Sequence, residues 1–208
     1  MIIPDLNTIF AFLILIIILV FIMAIAGYIA FIIFRYRGRE ERSVDSVYLQ
    51  VAVPRLNEIK TDAMEQLFAS LYSMKKGGWK QKFAVQPAIS FEIVAREEDI
   101  KFFVWTPSDY KDLIEKQIHG AYPDAEVKEI QEINLFSEEG KVAYKSMQLS
   151  KANYYPLKTF KDLPTDILSS LTSSLARMDK GEASCVQILI SPAESDWQKA
   201  GGKFVSDT

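Results

Sequence analysis

The hydrophobic and polar positions fall into one unbroken apolar run and a series of alternating and helical patterns. From Ile9 to Phe34, twenty-six consecutive residues carry no charge. At about 1.5 Å each they give roughly 39 Å of helix, more than a hydrocarbon core of about 30 Å, so the run can cross a bilayer with some tilt. It predicts a single-pass transmembrane anchor over residues 1–36 and a basic juxtamembrane linker over 37–46. A secretory signal peptide fits poorly, since no positive region leads the run, the run is too long, and no small-residue cleavage site follows it. Asp5 is the only charge ahead of the run, and Arg35, Arg37, Arg39 and Arg42 follow it. The positive-inside bias therefore predicts an N-terminus outside the plasma (inner) membrane and a cytoplasmic remainder.

Beyond the anchor, Val47, Leu49, Val51 and Val53 alternate with Tyr48, Gln50 and Ala52 up to Pro54, the pattern of a strand with one buried face. Met64, Leu67, Phe68, Leu71 and Tyr72 recur at helical spacing, with Asp62 and Glu65 as a cap-like pair and Lys75-Lys76-Gly77-Gly78 as a stop. Two alternations, Ile89 to Ala95 and Ile100 to Val104, flank the charged turn Arg96-Glu97-Glu98-Asp99 and predict a hairpin. Thr106-Pro107-Ser108-Asp109 reads as a helix opening for Tyr110 to Ile118, and Ala125 to Ile130 as another short strand. The order strand, helix, strand, strand, helix, strand predicts an α+β fold with a ferredoxin-like βαββαβ unit over 47–133.

The remainder predicts a second, partial βαβ unit over 141–200, with a strand at Tyr144 to Leu149, a helix at Thr165 to Met178 stopped by Gly181, and a strand at Ser184 to Ser191. In that last strand Val186, Ile188 and Ile190 alternate with Cys185, Gln187 and Leu189, apolar enough for a central position. Ser195 to Lys199 could open a helix, but Gly201-Gly202 leave it little room, so 201–208 is read as a tail.

Charge and chemistry narrow the picture further. The net charge is −3, and with Asp5 set aside the part after the anchor holds 24 basic and 26 acidic residues, so no global basic field invites nucleic acid. Cys185 is the only cysteine, which excludes a disulfide within the chain and agrees with a reducing compartment; it reads as a small core residue. His119 is the only histidine and reads as a helix-end residue. Glu97-Glu98-Asp99 and the acids of 126–139 show no metal-loop spacing and read as solvated turns and strand faces. Neither glycine pair has phosphate-loop spacing. No catalytic group, cofactor or metal is therefore assigned, and the expectation is a non-enzyme.

Two weaker features bear on contacts. Lys75, Lys76, Lys80 and Lys82 surround Trp79, a composition suited to lipid headgroups or to a nucleic-acid backbone; a solvated loop after a helix C-terminus is the plainer reading. Ala26 and Ala30 beside Gly27 form a small-residue pair that permits close approach of two anchors and hence a homo-oligomer.

Several strings, taken together, carry a resemblance. They are Val51-Ala52-Val53-Pro54 with Asn57-Glu58, the helix from Asp62 to Leu71, Ile89 to Val94, Ile100 to Pro107, Gln117 to Glu126 with Tyr122-Pro123-Asp124-Ala125, and Val186 to Ile190 leading to Trp197-Gln198-Lys199. Over roughly Val47 to Lys199 the chain resembles the membrane-anchored N-terminal regions of type IV secretion or conjugation-type (TraG-like/HerA-like) ATPases from small-genome bacteria. The resemblance implies an anchor and an α+β adaptor ahead of a RecA-like motor, whose phosphate loop this sequence lacks. It implies a scaffold that positions a P-loop ATPase, in cis if the chain is a fragment and in trans otherwise, with nucleic acid touched only indirectly. A membrane-anchored ligand-sensing or protein-binding ferredoxin-like module is the alternative.

Overall fold

The computed structural model describes residues 5–77, 86–96, 99–136, 140–163 and 166–206. The chain divides into two compact units, one holding residues 1–45 and the other the sheet and its helices. In the first, helix α1 runs from Leu6 to Val44. Its stretch Leu6–Ile33 is the one helix among the described residues long and apolar enough to cross a membrane. Every side chain from Leu6 to Ala30 is exposed, as a lipid-facing helix requires. The linker expected at 37–46 is instead helical to Val44, leaving only Asp45 before the first strand. Arginine and glutamate are good helix formers and no proline interrupts them, so the backbone hydrogen bonds simply continue.

The second unit is a mixed α and β structure around one antiparallel five-stranded sheet. Its elements are β1 (Ser46–Ala52), α2 (Asp62–Leu71), β2 (Ile89–Arg96), β3 (Asp99–Pro107), α3 (Lys111–Ala121), β4 (Glu126–Ile130), α4 (Ile167–Leu175), β5 (Ala183–Ile190) and α5 (Asp196–Ser206). The strand order is β4-β1-β3-β2-β5. The β2–β3 hairpin closes with Arg96 opposite Asp99, at the charged turn the alternation marks. Thr106 and Pro107 belong to β3 instead of capping a helix; Thr106 is fully buried, and a 3-10 turn, Ser108–Tyr110, leads into α3.

Two cores lie on opposite faces of this sheet. On one, Leu67, Leu71 and Met74 from α2 and the turn after it meet Ile114 and Ile118 of α3 over Leu49, Ile89 and Val104. Each large aliphatic side chain buried in this way contributes about 1.5–3 kcal/mol. On the other, Tyr48, Val94 and Phe103 form a smaller cluster with Trp105, Ile130, Ile133 and Leu135 packed against it. The Tyr48 and Phe103 rings stack at 5.0 Å, 8° from parallel. The chain after β4 covers part of this face, held where the Arg96 guanidinium donates to the Asn134 carbonyl.

The C-terminal third departs most from the sequence pattern. The strand expected at Tyr144 to Leu149 is irregular, with Tyr144 and Met147 almost fully exposed, because no described strand pairs with it. β5 joins the same sheet beside β2, so the expected second βαβ unit has no sheet of its own. Lys161 binds Asp62 at 3.2 Å and Glu65 at 3.7 Å, and Lys75 lies 3.9 Å from Glu194, so this region attaches to both ends of α2. The acids of the first turn of α2 thus face a lysine from outside the helix, while Thr61 makes no side-chain cap. α5 continues through Gly201-Gly202 to Ser206, replacing the expected tail. Gly201 serves close approach there: a Cβ would lie 3.2 Å from Tyr154 Cβ.

Candidate interaction surface

Among the described residues β5 is an edge strand, hydrogen-bonded to β2 alone. Ile188 is 58% exposed and Leu189 65% exposed. Between Ala183 and Ile190 there is no charge and no proline, so the strand lacks the usual devices that deter edge pairing. Its alternation places Val186, Ile188 and Ile190 opposite Ile93, Phe91 and Ile89, on the helix-covered face. Cys185, Gln187 and Leu189 lie on the other face, opposite Val94, Glu92 and Ser90. The strand expected at a central position is therefore at the rim, and Cys185, expected in the core, is exposed. Periodicity reports which residues share a face, but not how many neighbours a strand has.

Next to this edge, a polar cluster ties three strands together. The Tyr48 hydroxyl donates to Glu92 Oε2 at 2.6 Å, and Gln187 Nε2 donates to Glu92 Oε1 at 2.8 Å. Cys185 Sγ sits 4.0 Å from the same carboxylate. Burial, reinforced by the hydrogen bond to Glu92 and its charge, holds the Tyr48 phenol well above its ordinary range. Although the residue is exposed, partial burial of its sulfur against the sheet, with the Glu92 charge adding, raises the Cys185 thiol to about 11. At neutral pH both groups stay protonated, so the thiol is a poor nucleophile and the phenol a donor. Both Glu92 oxygens already have partners, which suits a polar staple between β1, β2 and β5 better than acid or base chemistry. The Ser90 hydroxyl, one residue pair along, is buried and has no partner among the described residues.

Lys75 is engaged: beyond Glu194, its ammonium reaches the Tyr72 hydroxyl at 3.2 Å and lies 5.3 Å from the Tyr72 ring centroid. Lys76 is fixed through its backbone, whose N–H donates to Gln86 Oε1 while its carbonyl accepts from Gln86 Nε2. Trp79, Lys80 and Lys82 lie outside the described residues, as do the side chains of Arg35, Arg37, Arg39 and Arg42. Ala26, Gly27 and Ala30 occupy the exposed surface of α1, with open space around Gly27. His119 is exposed in the last turn of α3.

Two features escape the sequence patterns. One is the Glu92 cluster, whose members are 44 and 95 positions apart in the chain. The other is an aromatic group in which Tyr154, Tyr155 and Phe204 pack with centroids 4.9 to 5.6 Å apart. It lines an open cleft of about 420 Å³ with Trp197 and Gly201. The Tyr154-Tyr155-Pro156 string was its only signal, and it shows no periodicity. Among the described residues no group of His, Cys, Asp and Glu could hold a metal ion.

Residues 39–206 match a family described as a domain of unknown function, DUF8128, and the chain belongs to that family. No curated protein and no solved structure matches it.

Proposed function

We propose that this member of the DUF8128 family is a membrane-tethered, non-catalytic scaffold that positions a P-loop secretion or DNA-transfer ATPase at the cytoplasmic face of the membrane. The observation that carries the reading is the chain's construction. An apolar helix able to span a bilayer passes, with one intervening residue, into an α+β module. The exposed apolar features of that module, the β5 edge and the Tyr154–Phe204 cleft, suit protein contacts. Within the proposal the module is ferredoxin-like: the order β4-β1-β3-β2, with α2 and α3 sharing one face, supports this, and β5 is an added fifth strand. The arginines that follow the apolar run support an outside N-terminus and a cytoplasmic module. Tethering confines the modules to a plane and raises their local concentration around a motor.

The test is a detergent-solubilised pull-down with size analysis, using the full chain as bait in lysate from a host expressing the neighbouring genes. The expected result is a P-loop ATPase co-purifying in a large complex; nucleotide turnover by the purified chain, or a lone chain without a motor, overturns the reading. A ligand-sensing module is the second reading, and the aromatic cleft beside α5 favours it. Saturable binding of small aromatic or apolar probes, abolished by Trp197→Ala, would select it.

A further inference from the structure

We infer that β5 pairs antiparallel with β5 of a second copy of this chain, joining two five-stranded sheets into one. The inference rests on the edge and holds whether or not the ATPase reading does.

Three observations point to a second copy as the occupant. First, the two edges differ in kind. β4 presents Glu126, Lys128 and Glu129, with Lys128 paired to Glu126 at 2.7 Å and Glu129 to Lys111 at 2.5 Å, the charged dressing that keeps an edge solitary. β5 has an uncharged edge three residues longer, with Ile188 and Leu189 in solvent. Unpaired N–H and C=O groups flanked by apolar side chains are a template for another strand.

Second, β5 is complementary to itself. A two-fold axis perpendicular to the sheet preserves its faces. With that axis at Ile188, each Ile188 faces its counterpart and Val186 faces Ile190 of the second copy. The helix-side apolar row built by Ile89 with Ile190, Phe91 with Ile188 and Ile93 with Val186 then continues without a break from one sheet to the next. On the opposite face Gln187 faces Leu189. Centring the axis at Gln187 would set Ser184 against Ile190, a poorer match, so the Ile188 register is the one assigned.

Third, copies carrying the same single apolar span share a membrane and an orientation, so encounters between them occur at high effective concentration. A modest edge-to-edge contact is enough under that condition.

The experiment uses the full chain in detergent and in lipid nanodiscs, with mass measured across protein-to-detergent ratios. The wild type is expected to be dimeric, and Ile188→Lys, which sets two ammonium groups face to face at the axis, to raise the dimer dissociation midpoint at least tenfold. A monomeric wild type, or an unchanged dimer in Ile188→Lys, overturns the inference. Cross-linking keeps the test decisive should that variant fold poorly: in a Cys185→Ser background, Ile188→Cys should yield oxidised dimer under mild oxidant and Lys128→Cys should not. Cross-linking at Lys128→Cys without Ile188→Cys overturns the inference. So does a dimer that Gly27→Leu dissolves and Ile188→Lys leaves intact, since association would then run through the anchors.

Discussion

Among the described residues β4 and β5 each have one strand neighbour, β1 and β2 respectively, yet β4 gives Glu126, Lys128 and Glu129 to charge while β5 carries none from Ala183 to Ile190. The difference teaches that a strand's composition and its place in a sheet are separate properties. β4 has a composition that tolerates water at an open edge, and its Glu129–Lys111 pair ties that edge to α3. β5 has the composition of an interior strand and lies at the rim, so its apolar content is uncompensated within one chain. Its inner side is well anchored even so. Glu92 reaches across to Gln187, and Ile190 packs against the helix-side core.

The largest expected effect comes from the smaller core on the face away from the helices, in the strand midway between the two edges. Phe103 is 1% exposed and stacks on Tyr48 in the central strand β3. Phe103→Ala should cost about 3–5 kcal/mol, read by denaturant unfolding of the full chain in detergent. If it lost less than about 1 kcal/mol, the open face would be contributing little and the two edges would depend on the helix-side core alone.

A smaller effect is expected at the staple behind β5. Tyr48→Phe removes the donor to Glu92 and should cost about 1.5–3 kcal/mol, the range for a hydrogen bond to a charged acceptor, toward its lower end because this bond is only part-buried. The sign of its pH dependence follows from the raised folded-state phenol. Its contribution is complete below the ordinary tyrosine range and is lost as pH rises from that range toward the folded value, since the unfolded chain releases the proton first. Unfolding midpoints followed from pH 8 upward should fall more steeply in the wild type than in Tyr48→Phe. Equal slopes would remove Tyr48 as the cause.

The smallest effect on stability should come from stripping the charged edge. A triple variant Glu126→Thr, Lys128→Thr, Glu129→Val removes exposed ion pairs that contribute little to folding and are screened by salt. Its consequence should appear as association: a second oligomeric species that Ile188→Lys does not abolish. If the variant stays in the wild-type state, charge is not what keeps β4 solitary, and the contrast between the edges would lie in strand length instead.

Much of the local structure was legible. The strands β1 to β4, the amphipathic α2 with Leu67 and Leu71 inward, and the hairpin at Arg96 and Asp99 follow from periods of two and of 3.6 and from turn chemistry, which are properties of neighbouring residues. The membrane-length helix followed from an uninterrupted apolar run, and its continuation to Val44 escaped because a charged stretch reads as readily as linker. The candidate surface was less legible. The basic segment drew attention through composition, whereas Lys75 is engaged by Tyr72 and Glu194, partners the local pattern does not name.

What the sequence determined by itself is what depends on residues a few positions apart: which stretch suits a bilayer, which side chains share a face, and where the chain turns. Tertiary structure alone decided that Ala183–Ile190 joins the first sheet at its rim, that Tyr144 to Leu149 pairs with no described strand, and that Gly201 lets α5 close on Tyr154. Each of these outcomes rests on contacts between residues tens of positions apart. Sequence periodicity carries no term for which apolar surface finds a partner and which is left facing water.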